Sequence, residues 1–397
     1  LSRAVIATYL VSLALLPWTW FPPFPWLHEH AQWSDAVFAV AATLWLVERS
    51  WLGGWPRLQR WHVALALYPL LAFQSLLVAS PDPLATAPKL LGVVELCTLA
   101  FITADLASRP GISRRIGQVI ALTSLVTAAA SIAALLFFYA GVDSRLIGIY
   151  GELEPSPFYA RVQAGTYNPN LLASFCIFAA AIVARRESEL PPWLRRLTLG
   201  LLSATALLTF SRGILGFATS LAIQRAGTPR GKKVATAIAI GCAVLVVSVS
   251  LWRPKLDPTH PMEIGFLDED SSRFEGATSS LVALARHPLF GTGLGTSPGA
   301  YHGVPFDAHL TLVNIAATLG LPALMAFTAL MASIWRRRRR PTDLAVWGGL
   351  TGLAIDSLGQ DIEDFRHLWV LIGLASVPIE PDEATEGGAH VRVMNRR

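Results

Sequence analysis

The chain has 397 residues, of which 53% are hydrophobic and 15% charged, with a formal net charge of +5. A soluble domain carries about 25% charged residues, whereas here apolar stretches near the ~20 residues that span a bilayer recur along the whole chain. A soluble enzyme, a secreted disulfide scaffold and a disordered protein are excluded, which leaves an all-α polytopic membrane protein.

In chain order the hydropathy predicts about twelve transmembrane helices, at roughly 4–20, 35–48, 61–79, 89–107, 116–140, 168–184, 195–210, 213–224, 234–251, 309–335, 343–358 and 365–378. The seventh and eighth lie either side of Phe210-Ser211-Arg212-Gly213, and the eighth is short for a full crossing. The first stretch lacks a small-residue cleavage site and leads into further spans, so it reads as a span rather than a signal peptide. Thirteen Trp suit a protein with two membrane–water interfaces. Cys97, Cys176 and Cys242 all fall within apolar stretches and read as small core residues rather than disulfides or metal ligands.

Lys and Arg in short loops set orientation. With the N-terminus inside, the inner segments hold 23 of the 32 basic residues and the outer segments nine, so both termini are expected to be cytoplasmic. The run Arg336 to Arg340 reads as an anchor on anionic lipid, not a nucleic-acid patch. Two outer loops are long, 141–167 and 252–308. In the second, Phe274, Ala277, Leu281 and Leu284 predict a surface helix over 271–286. The expected organisation is one transmembrane domain, 1–378, followed by a polar cytoplasmic tail, 379–397.

The outer segments hold 17 acidic residues against nine basic ones, so their arginines stand out. Arg212 lies between two apolar stretches, where it either snorkels to the interface or faces an internal anion site. Gly213 beside it admits close backbone approach, and Ser211 can cap the next helix. Arg273 follows Asp268-Glu269-Asp270, which makes a local ion pair and a ligand role equally open. His287-Pro288-Leu289-Phe290-Gly291-Thr292-Gly293-Leu294-Gly295 looks like a phosphate cradle, yet no Lys-Ser/Thr follows and the segment is external. It reads instead as a tight turn that admits a polar head group.

His309 is either a capping residue or a general base that Asp307 orients. As metal ligands these two lack a third partner. Asn170 is expected to be the N-cap of the sixth span after an Asn168-Pro169 turn. Lys89 and Glu95 are candidates to line a cavity in the outer half of the fourth span, where Glu95 needs a buried partner.

Taken together, several segments carry a resemblance by their order. They are Gly165-Thr166-Tyr167-Asn168-Pro169-Asn170-Leu171-Leu172-Ala173, Leu208-Thr209-Phe210-Ser211-Arg212-Gly213, Arg273 on a helix, and the 287–295 turn. Ala308-His309, Leu319-Gly320-Leu321-Pro322 and the closing Arg366-His367-Leu368-Trp369 follow. Over roughly residues 160–378 this resembles the O-antigen ligase and O-antigen polymerase family of integral membrane glycosyltransferases. The resemblance implies a GT-C-like membrane fold and transfer of a glycan from undecaprenyl diphosphate to a glycan or glycolipid acceptor. That transfer takes place at the periplasmic face of the bacterial inner membrane, with inversion and without metal or cofactor.

By position in the motifs, the resemblance gives His309, Arg212 and Arg273 the catalytic and diphosphate-contacting roles. Arg161, Asn170, Lys89 and Tyr301 complete the candidate substrate-binding set. The family commonly has Asn after this histidine, whereas here Leu310 follows. The chemistry agrees independently of the name. Guanidinium forks suit a departing diphosphate, and a neutral imidazole can take the acceptor proton.

A ligase would use a lipid A–core acceptor and a polymerase the growing glycan, and the single very long outer loop favours the ligase. A transporter of lipid-linked glycans would instead predict internal repeats and broken helices with charges near the midplane. A non-catalytic membrane scaffold would give no reason for the placement of Arg212, Arg273 and His309.

Overall fold

A computed structural model of the chain describes residues 1–19, 31–142, 144–150, 159–185, 188–226, 233, 265–301, 303–336 and 344–377. Its helices begin with α1 (Ser2–Ala14), α2 (Trp33–Leu52), α3 (Arg60–Ala79), α4 (Pro83–Ala107), α5 (Ile112–Tyr139), α6 (Pro169–Ala184) and α7 (Pro192–Leu208). They continue with α8 (Gly213–Arg225), α9 (Gly265–Arg286), α10 (Thr311–Leu319), α11 (Leu321–Trp335), α12 (Leu344–Asp356) and α13 (Arg366–Ala375). Among the described residues α3, α4 and α5 are long and apolar enough to cross a membrane, while α1, α6, α11, α12 and α13 are apolar but shorter. The protein is thus a predominantly helical membrane protein. The expected ninth span, the tail and the early part of the long outer loop lie outside the described residues.

The most apolar helices form the centre. In α6, Leu172 to Val183 are buried without interruption, and in α13 His367 to Leu374 are too. A helix apolar on every side belongs in the middle of a bundle. The long helices instead expose Leu67, Leu70, Leu91, Leu122 and Leu136, the pattern of a face turned to lipid.

The centre closes through glycine. A Cβ on Gly216 of α8 would lie 2.3 Å from the Gly352 carbonyl oxygen of α12, and one on Gly352 would lie 2.5 Å from the Gly216 carbonyl oxygen. Gly348, one turn before Gly352, meets the Ser220 carbonyl oxygen at 2.7 Å in the same sense. Small residues four apart let helix backbones approach closely in a membrane. Cys97 and Cys176 are buried and free, as expected, and Cys242 lies outside the described residues.

The structure corrects three expectations. The tenth span, 309–335, is two helices, α10 and α11, because Gly320 adopts φ +87° and sits where a Cβ would be 2.2 Å from the Leu289 carbonyl oxygen. The surface helix begins earlier than residue 271 and packs through Gly276, Ala277 and Ser280, while Leu281 is exposed. The two long loops expected to be external also carry two antiparallel hairpins, which a helix-only reading leaves out. The first pairs β1 (Ile147–Tyr150) with β2 (Tyr159–Val162), and the second β3 (Gly299–Tyr301) with β4 (Val304–Phe306).

Candidate active site

The arginine joint between α7 and α8 is locally built. Phe210 holds a left-handed φ of +47°, a conformation that costs a residue with a side chain about 1–3 kcal/mol. It turns the chain sharply, so that Ser211 is buried and Arg212 half-buried at the start of α8. The Ser211 Oγ accepts the Gly213 N–H at 3.2 Å, so this serine does tie the first turn. Gly213 is pressed inward, its missing Cβ 2.9 Å from the Ala173 Cβ and 3.0 Å from Asp356 Oδ1. Asp356, at the end of α12, is held in turn by the Ser174 hydroxyl of α6. The position of Arg212 is therefore fixed by three helices.

Arg161 and Asn170 belong to the same neighbourhood. Arg161 on β2 is buried; its Nε donates to the Thr209 carbonyl oxygen at 2.7 Å and its Nη2 to Asn170 Oδ1 at 2.9 Å. These bonds pin the first hairpin to the end of α7, beside the arginine joint. The helix cap is not Asn170. Asn168 is the N-cap and its Oδ1 accepts the Asn170 N–H at 2.9 Å, because Pro169 has no N–H and fits the first helical position.

The His309 side is assembled around α9. A Cβ on Gly276 would meet the Phe306 ring at 2.7 Å and the Asp307 carbonyl oxygen at 3.0 Å, so α9, which carries Arg273, lies directly on the segment leading to His309. The His309 ring packs edge-on against Phe306 with centroids 4.9 Å apart. Its backbone φ is +48°, a second left-handed turn without glycine. Tyr301 ends β3 in the same hairpin.

The turn between α12 and α13, residues 357–365, links the two sides. At its start Asp356 touches the Gly213 position. Further on, the Thr311 N–H donates to the Ser357 carbonyl oxygen at 3.1 Å, and the Thr311 hydroxyl to the Gln360 carbonyl oxygen at 2.8 Å. One turn of chain thus ties the start of α8 to the start of α10. Sequence reasoning passed over it, although Asp356, Asp361, Glu363 and Asp364 crowd a span boundary. That density of carboxylates beside apolar helices was the available signal.

The glycine turn is not a phosphate cradle. The N–H groups at its centre are spent inside the protein, Thr292 on the Ala317 carbonyl oxygen at 2.8 Å and Gly293 on that of Thr318 at 3.0 Å. The Ser75 hydroxyl donates to the Phe290 carbonyl oxygen at 2.7 Å. Gly291 and Gly293 have φ of +65° and +109°, and each brings backbone against backbone. The turn clamps the end of α10 to α3.

Lys89 lines a cavity, as expected, but an acidic one. The cavity is about 100 Å³ and is bounded by Lys89, Asp307, Asn314, Glu363, Asp364 and Tyr68, with Val93, Leu294 and Ile315 as apolar wall. The Lys89 ammonium pairs with Asp364. Burial, with Asp307 and Asp364 nearby, pushes the Asp361 carboxyl up to about 7. Burial and the neighbouring Asp361 and Asp364 likewise hold Glu363 well above the usual carboxylate range. Glu95 has its buried partners, lying beside Asp35 and Arg366.

The sequence model of the O-antigen ligase family matches residues 197–328, a stretch that runs from within α7 into α11 and includes Arg212, Arg273, Tyr301 and His309. Arg161, Asn170 and Lys89 fall before it. No curated protein and no solved structure matches the chain.

Proposed function

We propose that this chain, whose residues 197–328 carry the O-antigen ligase domain, transfers a glycan from an undecaprenyl-diphosphate donor to a sugar hydroxyl of a lipid A–core acceptor. The reaction is set at the periplasmic face of the bacterial inner membrane, the side opposite the basic loops. The observation that carries the reading is the 357–365 turn. It ties the α8 start, with Arg212, to the α10 start, with His309 just before it, while α9 brings the Arg273 helix onto the same segment.

In this reading the acceptor hydroxyl attacks the anomeric carbon, a glycosidic C–O bond forms, and the bond to the diphosphate oxygen breaks with inversion. Undecaprenyl diphosphate leaves with the electron pair. Arg212 and Arg273 hold its developing charge by paired N–H···O contacts, strengthened where water is scarce. His309 accepts the proton of the attacking hydroxyl as a neutral imidazole. The donor is already activated, so neither nucleotide nor metal enters a step.

The test is transfer by purified protein from an undecaprenyl-diphosphate glycan to candidate acceptors, with and without EDTA. Transfer should persist in EDTA. Arg212→Ala should lower it by about 10²–10³-fold and His309→Ala by about 10²–10⁴-fold. Full activity in both variants would remove the site assignment. Extension of the lipid-linked glycan in place of core transfer would make the enzyme a polymerase. The α10–α11 break is a feature that transporters share; movement of the lipid-linked glycan without transfer would replace the enzyme reading altogether.

A further inference from the structure

The loop that joins α2 to α3 carries an apolar surface beyond the helix ends. Trp51 is 83% exposed, Leu52 66% and Leu58 82%, and Trp55 is exposed as well. So many large apolar side chains bare in one short segment mark an interaction surface. Lipid contact along a helix accounts for exposed leucines such as Leu67 and Leu70 of α3. Residues 53–59, in contrast, lie outside both helices.

The loop is built rather than slack. Gly53 and Gly54 adopt left-handed φ of +69° and +70°, and a Cβ on Gly53 would meet nothing within 4 Å. Glycine serves at that point for its backbone conformation, not for close packing. Arg49 Nη1 donates to the Gly54 carbonyl oxygen at 2.8 Å, while its Nη2 pairs with Asp105 of α4 at 2.6 Å. The Trp55 ring meets Trp45 of α2 edge-on, with centroids 5.8 Å apart. At the far end, His62 Nδ1 of α3 accepts the Gln59 N–H at 2.7 Å. Three helices thus fix the loop while its apolar side chains stay exposed.

Charge indicates what covers this surface. Residues 50–60 include Arg57 and Arg60, both exposed, and no acidic residue. Among the described residues no carboxylate pairs with either guanidinium. Arg49 is committed to Asp105, so these two are the cations the loop presents. A second copy of the chain docked through the same surface would bring four arginines together with nothing to neutralise them. The helix that follows, α3, is long and apolar enough to cross a membrane, which sets the loop at a membrane–water interface. Tryptophan rings settle at headgroup depth there. Interfacial binding joins apolar burial to attraction for anionic lipid.

We infer that the α2–α3 loop is a binding site for anionic phospholipid. Trp51, Leu52, Trp55 and Leu58 enter the interface of one leaflet, and Arg57 and Arg60 favour a headgroup of net negative charge. The inference uses no step of the proposed transfer.

The test puts a photoreactive benzoylphenylalanine in place of Leu58 in the full chain. The chain sits in nanodiscs of phosphatidylcholine with a minority of phosphatidylglycerol of the same acyl chains. After irradiation, mass spectrometry reads the share of each lipid among the adducts. Phosphatidylglycerol should exceed its bulk share about five-fold, the order of effect of one arginine near a charged membrane surface. The same probe in place of Leu70, which is exposed along α3, should return the bulk share.

Arg57→Gln combined with Arg60→Gln should bring the adducts at position 58 down to the bulk share. Both side chains are exposed, so the thermal midpoint should not move. With both arginines in place, raising sodium chloride from ~0.05 M to ~0.5 M should also remove the enrichment, by screening the headgroup charge. That readout needs no arginine variant to fold. Bulk composition at position 58 at low salt would overturn the inference, as would enrichment that survives the double variant or high salt. Equal enrichment at position 70 would overturn it by showing a preference of the whole surface. A crosslink to a second copy, or no lipid adduct, would do so by placing the loop against protein or in water.

Discussion

At the scale of single residues, backbone strain marks joints between elements. Ala164, Tyr167, Glu189, Phe210 and His309 hold left-handed φ without being glycine, and such strain gathers where surrounding structure overrides local preference. Phe210 sets up Arg212 and His309 is itself a candidate base, so neither conformation is readable from composition. Asp361 yields a prediction with a sign. Its proton is held up to about pH 7 in the folded protein, against about 3.9 for an ordinary aspartate.

Between those values the unfolded chain has lost the proton and the folded one keeps it, so stability falls as pH rises through the window. Burial sustains the shift, with Asp307 and Asp364 beside it, and Lys89 opposes it. Asp361→Asn should therefore leave the thermal midpoint unchanged near pH 4 and raise it at pH 8. A variant less stable than wild type at pH 8 would contradict this.

At the scale of elements, close backbone contact decides which helices meet. The α8–α12 contact depends on Gly216 and Gly352, each lying where a Cβ would strike the partner's carbonyl oxygen. Gly352→Val should cost about 1–3 kcal/mol through overpacking, seen as a lower thermal midpoint. It should also reduce transfer, because the same α8 begins at Arg212 and Gly213. Gly92 in α4 has open space around its missing Cβ, so Gly92→Ala should leave both measurements unchanged. The hydropathy pattern located α3, α4 and α5 well, since each is long and apolar. It merged α10 with α11 because Gly320 and Pro322 sit inside one continuous apolar run, and only the approach of Leu289 makes the break obligatory. Four-residue and three-residue strands lie below what periodicity can resolve, so the hairpins escaped it.

At the scale of the molecule, charged pairs join distant parts of the chain. Arg366 at the start of α13 donates from Nε to Asp35 Oδ1 at 2.9 Å and from Nη2 to Asp35 Oδ2 at 2.7 Å, bridging α2 to the C-terminal helices. Arg109 similarly grips Glu48 and Asp105 at the other end of α2 and α4. Removing one partner of a buried pair costs about 3–5 kcal/mol, whereas replacing both by apolar groups is often neutral. Asp35→Ala should lower the thermal midpoint markedly, and Asp35→Leu combined with Arg366→Leu should recover most of the loss. A double variant as unstable as the single one would show that the pair does more than neutralise itself.

The sequence alone determined that this is a helical membrane protein, and it predicts that the basic loops share one side. It also marked Arg212, Arg273 and His309 as the outer-side residues to examine. Those inferences rest on transfer free energies and loop charge, which are additive along a chain and need no partner. Only the tertiary structure decided that the glycine turn spends its N–H groups on α10, that Asn168 rather than Asn170 caps α6, and that Lys89 faces carboxylates. It alone brought Asp356 against Gly213, and Asn314 and Glu363 beside Lys89, although these residues lie far apart in sequence. Hydrogen bonds and close backbone contacts between distant segments depend on which surfaces meet, and hydropathy carries no record of that.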